Sequence, residues 1–223
     1  MVGGSLLSGE SAGAASVPVG ARRVAVFTTL YPNAVTPSHG IFVENRLRHL
    51  VASGAVTARV VAPVPYFPSA SAIFGDYARN ARVSRHEVRA GIPIAHPRYL
   101  VIPKIGMLLT PITLFLAALP VLRRLQREAD FDLIDAHYFY PDGIAAAMLG
   151  RVLKKPVTIT ARGTDINYIP RYSLPRRMIL WAARQAAGLE ELATGPDDGL
   201  KRRAIGRRHS GQLRSRYSLN YSY

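Results

Sequence analysis

Short apolar runs alternate along this chain with longer stretches in which apolar residues recur every three or four positions. Val24-Ala25-Val26-Phe27-Thr28-Thr29-Leu30 has the β-branched, uninterrupted character of a buried parallel strand. Tyr31 to Gly40 follows, with Pro32, Asn33, Pro37, Ser38 and Gly40, and its turn chemistry marks a loop. Val43, Leu47, Leu50 and Val51 then fall at helical spacing, with Gly54 as a stop. Val56 to Ala62, Phe131 to Ala136 and Val157 to Thr160 predict further strands. Gly143 to Leu153 predicts a helix with Ile144, Ala147, Met148 and Leu149 on its apolar face. A last helix is expected over Leu174 to Ala187, with Met178, Ile179, Trp181 and Ala182 inward. Pro63 to Pro103 is rich in proline and aromatics and shows little periodicity beyond an expected hairpin around Ser84 to Ile94.

Strands alternating with helices imply βαβ units. The expected fold class is α/β: a Rossmann-like parallel sheet with helices on both faces and right-handed crossovers. That topology puts the loops after Leu30, Ala136 and Thr160 on one rim, where open α/β sheets bind their ligands.

Ile105 to Leu122 is nearly uncharged and close to membrane-spanning length. It also holds Thr110, Pro111, Thr113 and Pro120, and Arg123-Arg124 follow directly. A buried or interfacial helix running to about Arg127 is expected, with a basic end suited to an anionic leaflet. The domain itself is expected over residues 23–187. Residues 1–22, rich in Gly, Ser and Ala and without a secretory pattern, read as a flexible leader. Residues 188–223 carry Lys201-Arg202-Arg203, Arg207-Arg208 and a Ser/Tyr-rich end, and read as a disordered basic tail.

Composition adds three facts. The 223 residues contain no cysteine, which excludes disulfide staples and thiolate metal sites and fits a reducing compartment. The six histidines show no metal-ligand spacing, so no metal is expected. The net charge is +15, from 29 Lys and Arg against 14 Asp and Glu. Such a balance favours phosphate-bearing partners, nucleic acid or a membrane surface; an Arg-favouring codon bias produces the same excess.

The candidate chemistry sits on the rim. Gly40, in Pro37-Ser38-His39-Gly40, stands before a helix N-terminus, where backbone N–H groups can approach a diphosphate. An ordinary turn glycine is the alternative, and there is no GxGxxG. His137 ends an apolar strand, where an imidazole can exchange hydrogen bonds or a proton with a sugar hydroxyl; packing beneath a loop is the alternative. Arg162-Gly163-Thr164-Asp165 offers a phosphate-gripping cation, a flexible step, a hydroxyl and a carboxylate; Asp165 as the N-cap of a short helix is the alternative.

Val24 to Leu30, His39-Gly40-Ile41-Phe42-Val43-Glu44, Phe131 to His137, Pro141-Asp142-Gly143 and Thr160 to Asp165 together resemble the amino-terminal domain of family 4 glycosyltransferases. These are GT-B enzymes with two Rossmann-like domains facing a cleft. The resemblance covers Arg23 to Ala187. It implies sugar transfer from a nucleotide sugar with retention at the anomeric carbon, in polysaccharide or glycolipid biosynthesis. The amino-terminal domain would receive a glycan or lipid-linked acceptor. Gly40 would lie near the donor diphosphate, and His137 would be catalytic, facing the reaction centre. Arg162, Gly163 and Asp165 would match the family's His/Arg-Gly-x-Asp turn. The nucleotide sugar is a co-substrate, and no cofactor is implied. A cytoplasmic protein, peripheral on the inner face of the plasma membrane, is expected.

The family's nucleotide-binding domain, with its basic pair and Glu-x7-Glu motif, has no match; Glu190-Glu191 are adjacent. A truncated or frameshifted product, inactive alone, is therefore expected. The alternative function is a non-catalytic basic domain that binds a membrane surface or nucleic acid.

Overall fold

The computed structural model describes residues 20–66, 71, 73, 76–101, 106–162, 165 and 169–191. The expected leader before residue 20, the tail beyond 191 and Gly163 lie outside these residues. In chain order the elements are β1 (Arg22–Phe27), α1 (Ile41–Ala52), β2 (Val56–Val61), β3 (Val64–Pro65), α2 (Asp76–Arg82), β4 (His86–Arg89), β5 (Ile92–Ala95) and β6 (Arg98–Tyr99). There follow α3 (Gly106–Glu128), β7 (Leu133–His137), α4 (Ile144–Leu153), β8 (Val157–Ala161), α5 (Ser173–Gln185) and β9 (Gly188–Glu191).

Seven strands form one sheet in the order β4-β5-β2-β1-β7-β8-β9, parallel throughout except for the β4–β5 hairpin at the edge. The hairpin falls where Ser84 to Ile94 predicts it. Short β3 and β6 pair beside the sheet. The strand order reverses outward from β1, as in doubly wound folds, so the expected fold class is the observed one. β9 lies past the boundary expected at Ala187: Thr158 pairs with Gly188 and Ala161 with Glu191, and the sheet continues to that point. Four residues of Gly-Leu-Glu-Glu are too short and too polar to give a buried-strand pattern.

The two faces of the sheet differ, and that difference builds the site. On one face, Ala25, Phe27, Ile134, Ala136, Val157, Ile159 and Ala161 pack with α3, α4 and α5 through Leu114, Ala118, Leu122, Leu149, Ile179 and Ala182. Gly143 and Gly150 let α4 sit close: a Cβ on Gly150 would stand 2.2 Å from Val157 Cγ2. On the other face, Val26, Val60, Ile92 and Ile94 pack against Val43 and Leu47 of α1. Strand side chains alternate between faces. Asp135 and His137 on β7, and Thr158 and Thr160 on β8, therefore share α1's side of the sheet. The register sets Asp135 opposite Thr158 and His137 opposite Thr160. The α1 side is thus apolar over β1 and β2 and polar over β7 and β8.

The apolar stretch before Arg123 forms α3, which is long and apolar enough to cross a membrane by length and composition. Leu114, Ala118 and Leu122 are wholly buried in the core. Leu108, Ile112 and Leu116 lie on a second stripe, and Leu116 is 60% exposed. Pro111 and Pro120 both lie within the helix.

Candidate functional site

Three strands end on one rim, and two buried carboxylates bind their exits together. After β1, the Thr29 amide donates to Asp142 Oδ2 at 2.6 Å, and the Thr29 and Thr28 hydroxyls lie 3.0 and 3.2 Å from the same oxygen. The Thr28 hydroxyl also lies 3.1 Å from the His137 carbonyl. Asp142 belongs to the irregular turn after β7 and is fully buried. Burial pushes its carboxyl up to about 7, against the pull of the Thr29 and Thr28 hydrogen bonds. Between β7 and β8 the fully buried Asp165 does the equivalent work. One of its oxygens accepts the Phe139 amide, and the other accepts the Arg162 amide at 2.9 Å. The Arg162 contact reaches back three residues to the carboxylate's own turn, as an acid in the third position of a capping box does.

Gly40 opens α1 in the left-handed region, at φ +69°. A Cβ there would stand 2.3 Å from the Leu30 carbonyl oxygen and 2.9 Å from the Tyr31 nitrogen. Glycine is needed for the α1 N-terminus to lie directly on the exit of β1. His39 Nε2 is 3.1 Å from the Thr29 carbonyl and fastens the same junction.

The polar stripe ends at this rim. His137 Nε2 is 3.3 Å from Asp135 Oδ2, and Asp135 Oδ1 accepts the Thr158 hydroxyl at 2.7 Å. His137 Nδ1 is 3.1 Å from Arg162 Nη2, and the Arg162 guanidinium stacks on the Phe42 ring at 4.3 Å. Arg46, one helical turn beyond Phe42, reaches the Thr160 hydroxyl at 3.2 Å. Burial pushes the Asp135 carboxyl up, but His137, Arg46 and Thr158 together outweigh it and hold the group below its usual value. The imidazole is 2% exposed, with both ring nitrogens engaged by protein.

The structure therefore brings His137 and Arg162 into direct contact. Asp165 joins them as a brace on the Arg162 backbone, and Gly40 joins through the helix start that carries Phe42. Asp135, Phe42, Arg46 and Thr160 belong to the same cluster and escape a reading of strand ends alone. Their signal is the i, i+2 recurrence of polar groups in otherwise apolar strands, Asp135–His137 and Thr158–Thr160–Arg162, together with the i, i+4 pair Phe42–Arg46. The guanidiniums of Arg46 and Arg162, set beside the carboxylates of Asp135 and Asp165, give the cluster hydrogen-bond donors of the kind that meet a negatively charged group. Among the described residues no group of His, Asp and Glu could hold a metal ion. A shallow pocket lined by Arg23, Arg59 and Asp130 lies instead at the opposite, amino-terminal ends of β1, β2 and β7.

One curated relative is "Putative teichuronic acid biosynthesis glycosyltransferase TuaC" of Bacillus subtilis (strain 168), 32% identical over 148 residues. The match takes in 66% of this chain and 37% of that protein, so the chain spans well under half of its relative's length. Among solved structures, a UDP-GlcNAc 2-epimerase from Methanocaldococcus jannaschii superposes with a TM-score of 0.45 and 8% identity, over 82% of this chain and 43% of the other. UGT73P12 of Glycyrrhiza uralensis, complexed with glycyrrhetinic acid 3-O-monoglucuronide, gives a TM-score of 0.43 and 12% identity, over 78% and 44%. The family model of Glycosyltransferase Family 4 matches residues 40–191, from the glycine that opens α1 to the end of β9. The chain is a member of glycosyltransferase family 4.

Proposed function

We propose that this domain forms the acceptor side of a retaining glycosyltransferase that uses a nucleotide sugar. The observation that carries the proposal is the Phe42–Arg162–His137 cluster, set at the carboxyl ends of β7 and β8 inside a family 4 domain. An aromatic edge and a guanidinium are what a glycan with an acidic group would meet. TuaC is named for teichuronic acid biosynthesis, and an acidic polysaccharide would find guanidinium donors in Arg46 and Arg162. In this reading the donor diphosphate approaches Gly40 and the α1 N-terminus, and a second, nucleotide-binding unit holds the rest of the donor. The chain alone does not turn over. The test is saturation-transfer NMR of the full chain with uronic-acid-containing oligosaccharides. Wild type should bind them, and Arg162→Ala should weaken binding at least tenfold. Equal binding by both proteins, or none by wild type, overturns the proposal.

A peripheral membrane contact at the cytoplasmic face accompanies this reading. The exposed Leu108, Ile112 and Leu116 stripe on α3 runs toward the exposed Arg123, Arg124 and Arg127. An apolar band ending in cations is the pattern of an interfacial helix. Co-sedimentation with vesicles of phosphatidylglycerol should exceed that with phosphatidylcholine, and equal sedimentation refutes the contact.

A further inference from the structure

His137 hands a constraint from the interior of the sheet to the rim. Arg162 Nη2 can only donate a hydrogen bond, so the His137 Nδ1 facing it at 3.1 Å carries the lone pair. The ring hydrogen of the neutral imidazole then sits on Nε2 and points at Asp135 Oδ2, 3.3 Å away. Asp135 is an acceptor at both oxygens and is itself held by the Thr158 hydroxyl at 2.7 Å. The opposite tautomer would set a ring N–H against a guanidinium N–H and leave an imidazole lone pair against a carboxylate. Both contacts would be repulsive.

We propose that Asp135 is a positioning residue: acting through His137, it holds the Arg162 guanidinium over the Phe42 ring at the rim. The chain of contacts runs Thr158, Asp135, His137, Arg162, Phe42, from mid-strand to α1, across a single face of the sheet. Asp135 touches no ligand in this scheme. Its role is to choose the tautomer that accepts from Arg162, so that the guanidinium is already oriented when an anionic group arrives. His137 serves as the intermediary, which explains an imidazole that is buried yet sits among groups of the rim. The proposal takes from the functional reading only the reason why Arg162 must be held, and its test needs no ligand.

The experiment is NMR of the full chain labelled with nitrogen-15 at histidine and arginine. Long-range ring couplings report the His137 tautomer, and the Arg162 side-chain N–H signals report guanidinium ordering. Wild type should show His137 as one neutral tautomer with the hydrogen on Nε2, and slowly exchanging Arg162 signals. Asp135→Asn preserves shape but can offer N–H in place of a carboxylate oxygen. It should raise the population of the Nδ1–H tautomer several-fold and broaden the Arg162 signals, while the thermal midpoint shows the fold intact. A merely structural Asp135 would move the midpoint without moving the tautomer. A wild-type His137 carrying its hydrogen on Nδ1, or Asp135→Asn spectra matching wild type at both residues, overturns the proposal. If Asp135→Asn does not fold, the wild-type tautomer and Arg162→Gln decide. Arg162→Gln should leave Nε2–H in place through Asp135, and a switch to Nδ1–H would show that Arg162 alone sets the ring.

Discussion

Gly40→Ala measures how closely α1 is laid on the exit of β1. Two costs combine in the variant. A left-handed conformation costs a residue with a Cβ about 1–2 kcal/mol, and Gly40 sits at φ +69°. The added methyl would also stand 2.3 Å from the Leu30 carbonyl oxygen and 2.4 Å from its carbon, with backbone rather than a side chain in the way. Overpacking of this kind costs about 1–3 kcal/mol. The sum is about 2–5 kcal/mol, a large share of the roughly 5–15 kcal/mol that stabilises a domain. Gly54 supplies the control: its φ is +72°, yet nothing lies within 4 Å of the site a Cβ would take. Gly54→Ala should therefore lose the conformational part alone, about 1–2 kcal/mol. Urea unfolding followed by circular dichroism gives both values, and with a slope of roughly 1–3 kcal/mol per molar the overpacking part separates the midpoints by about 0.3–3 M. Equal midpoints for the two variants would show that the close approach at Leu30 carries no energy and that Gly40 is an ordinary turn glycine.

Asp142 should make stability depend on pH in the reverse of the usual acidic sense. Burial raises its carboxyl from 3.8 to about 7 in the folded chain, so the folded state holds the proton that the unfolded chain has released. Its contribution is full below about 4 and is lost as pH rises toward 7, and the stability difference between wild type and Asp142→Asn should narrow or reverse over that window. A difference that stays flat refutes the assignment. Arg89 and the buried Glu44 meet at 2.9 and 3.3 Å, joining β4 to α1; Arg89→Ala strands that carboxylate and should cost about 3–5 kcal/mol by urea unfolding. On α3, Leu122→Ala should cost about 2–5 kcal/mol, because Leu122 is wholly buried. Leu116→Asp should change stability by less than about 0.5 kcal/mol while reducing sedimentation with anionic vesicles.

Much of this fold was legible because periodicity marks buried elements. The runs at Val24 and Val157, the helical spacing of Val43 and Leu47, and the apolar face of α4 each correspond to an observed strand or helix. β3, β6 and β9 were not legible: two to four residues carry no period, and backbone pairing to neighbours decides them. The candidate site divides in the same way. Strand ends pointed to His137 and Arg162, which do meet. Asp135 sits mid-strand, where rim logic does not look, and its place follows only from the face it shares with His137. Asp165 illustrates the converse. Its sequence context suits a sugar-binding carboxylate, and its oxygens in the fold accept from the Phe139 and Arg162 backbones.

Asp142 and Asp165 act in series, the first linking the exit of β1 to the segment after β7, the second linking that segment to the exit of β8. Mechanically, these contacts tie the three loop roots into one plate. Shape adjustment around a ligand would then fall to side chains mounted on the plate, such as Phe42. The domain then behaves as a braced support, and removing either carboxylate should make that support compliant.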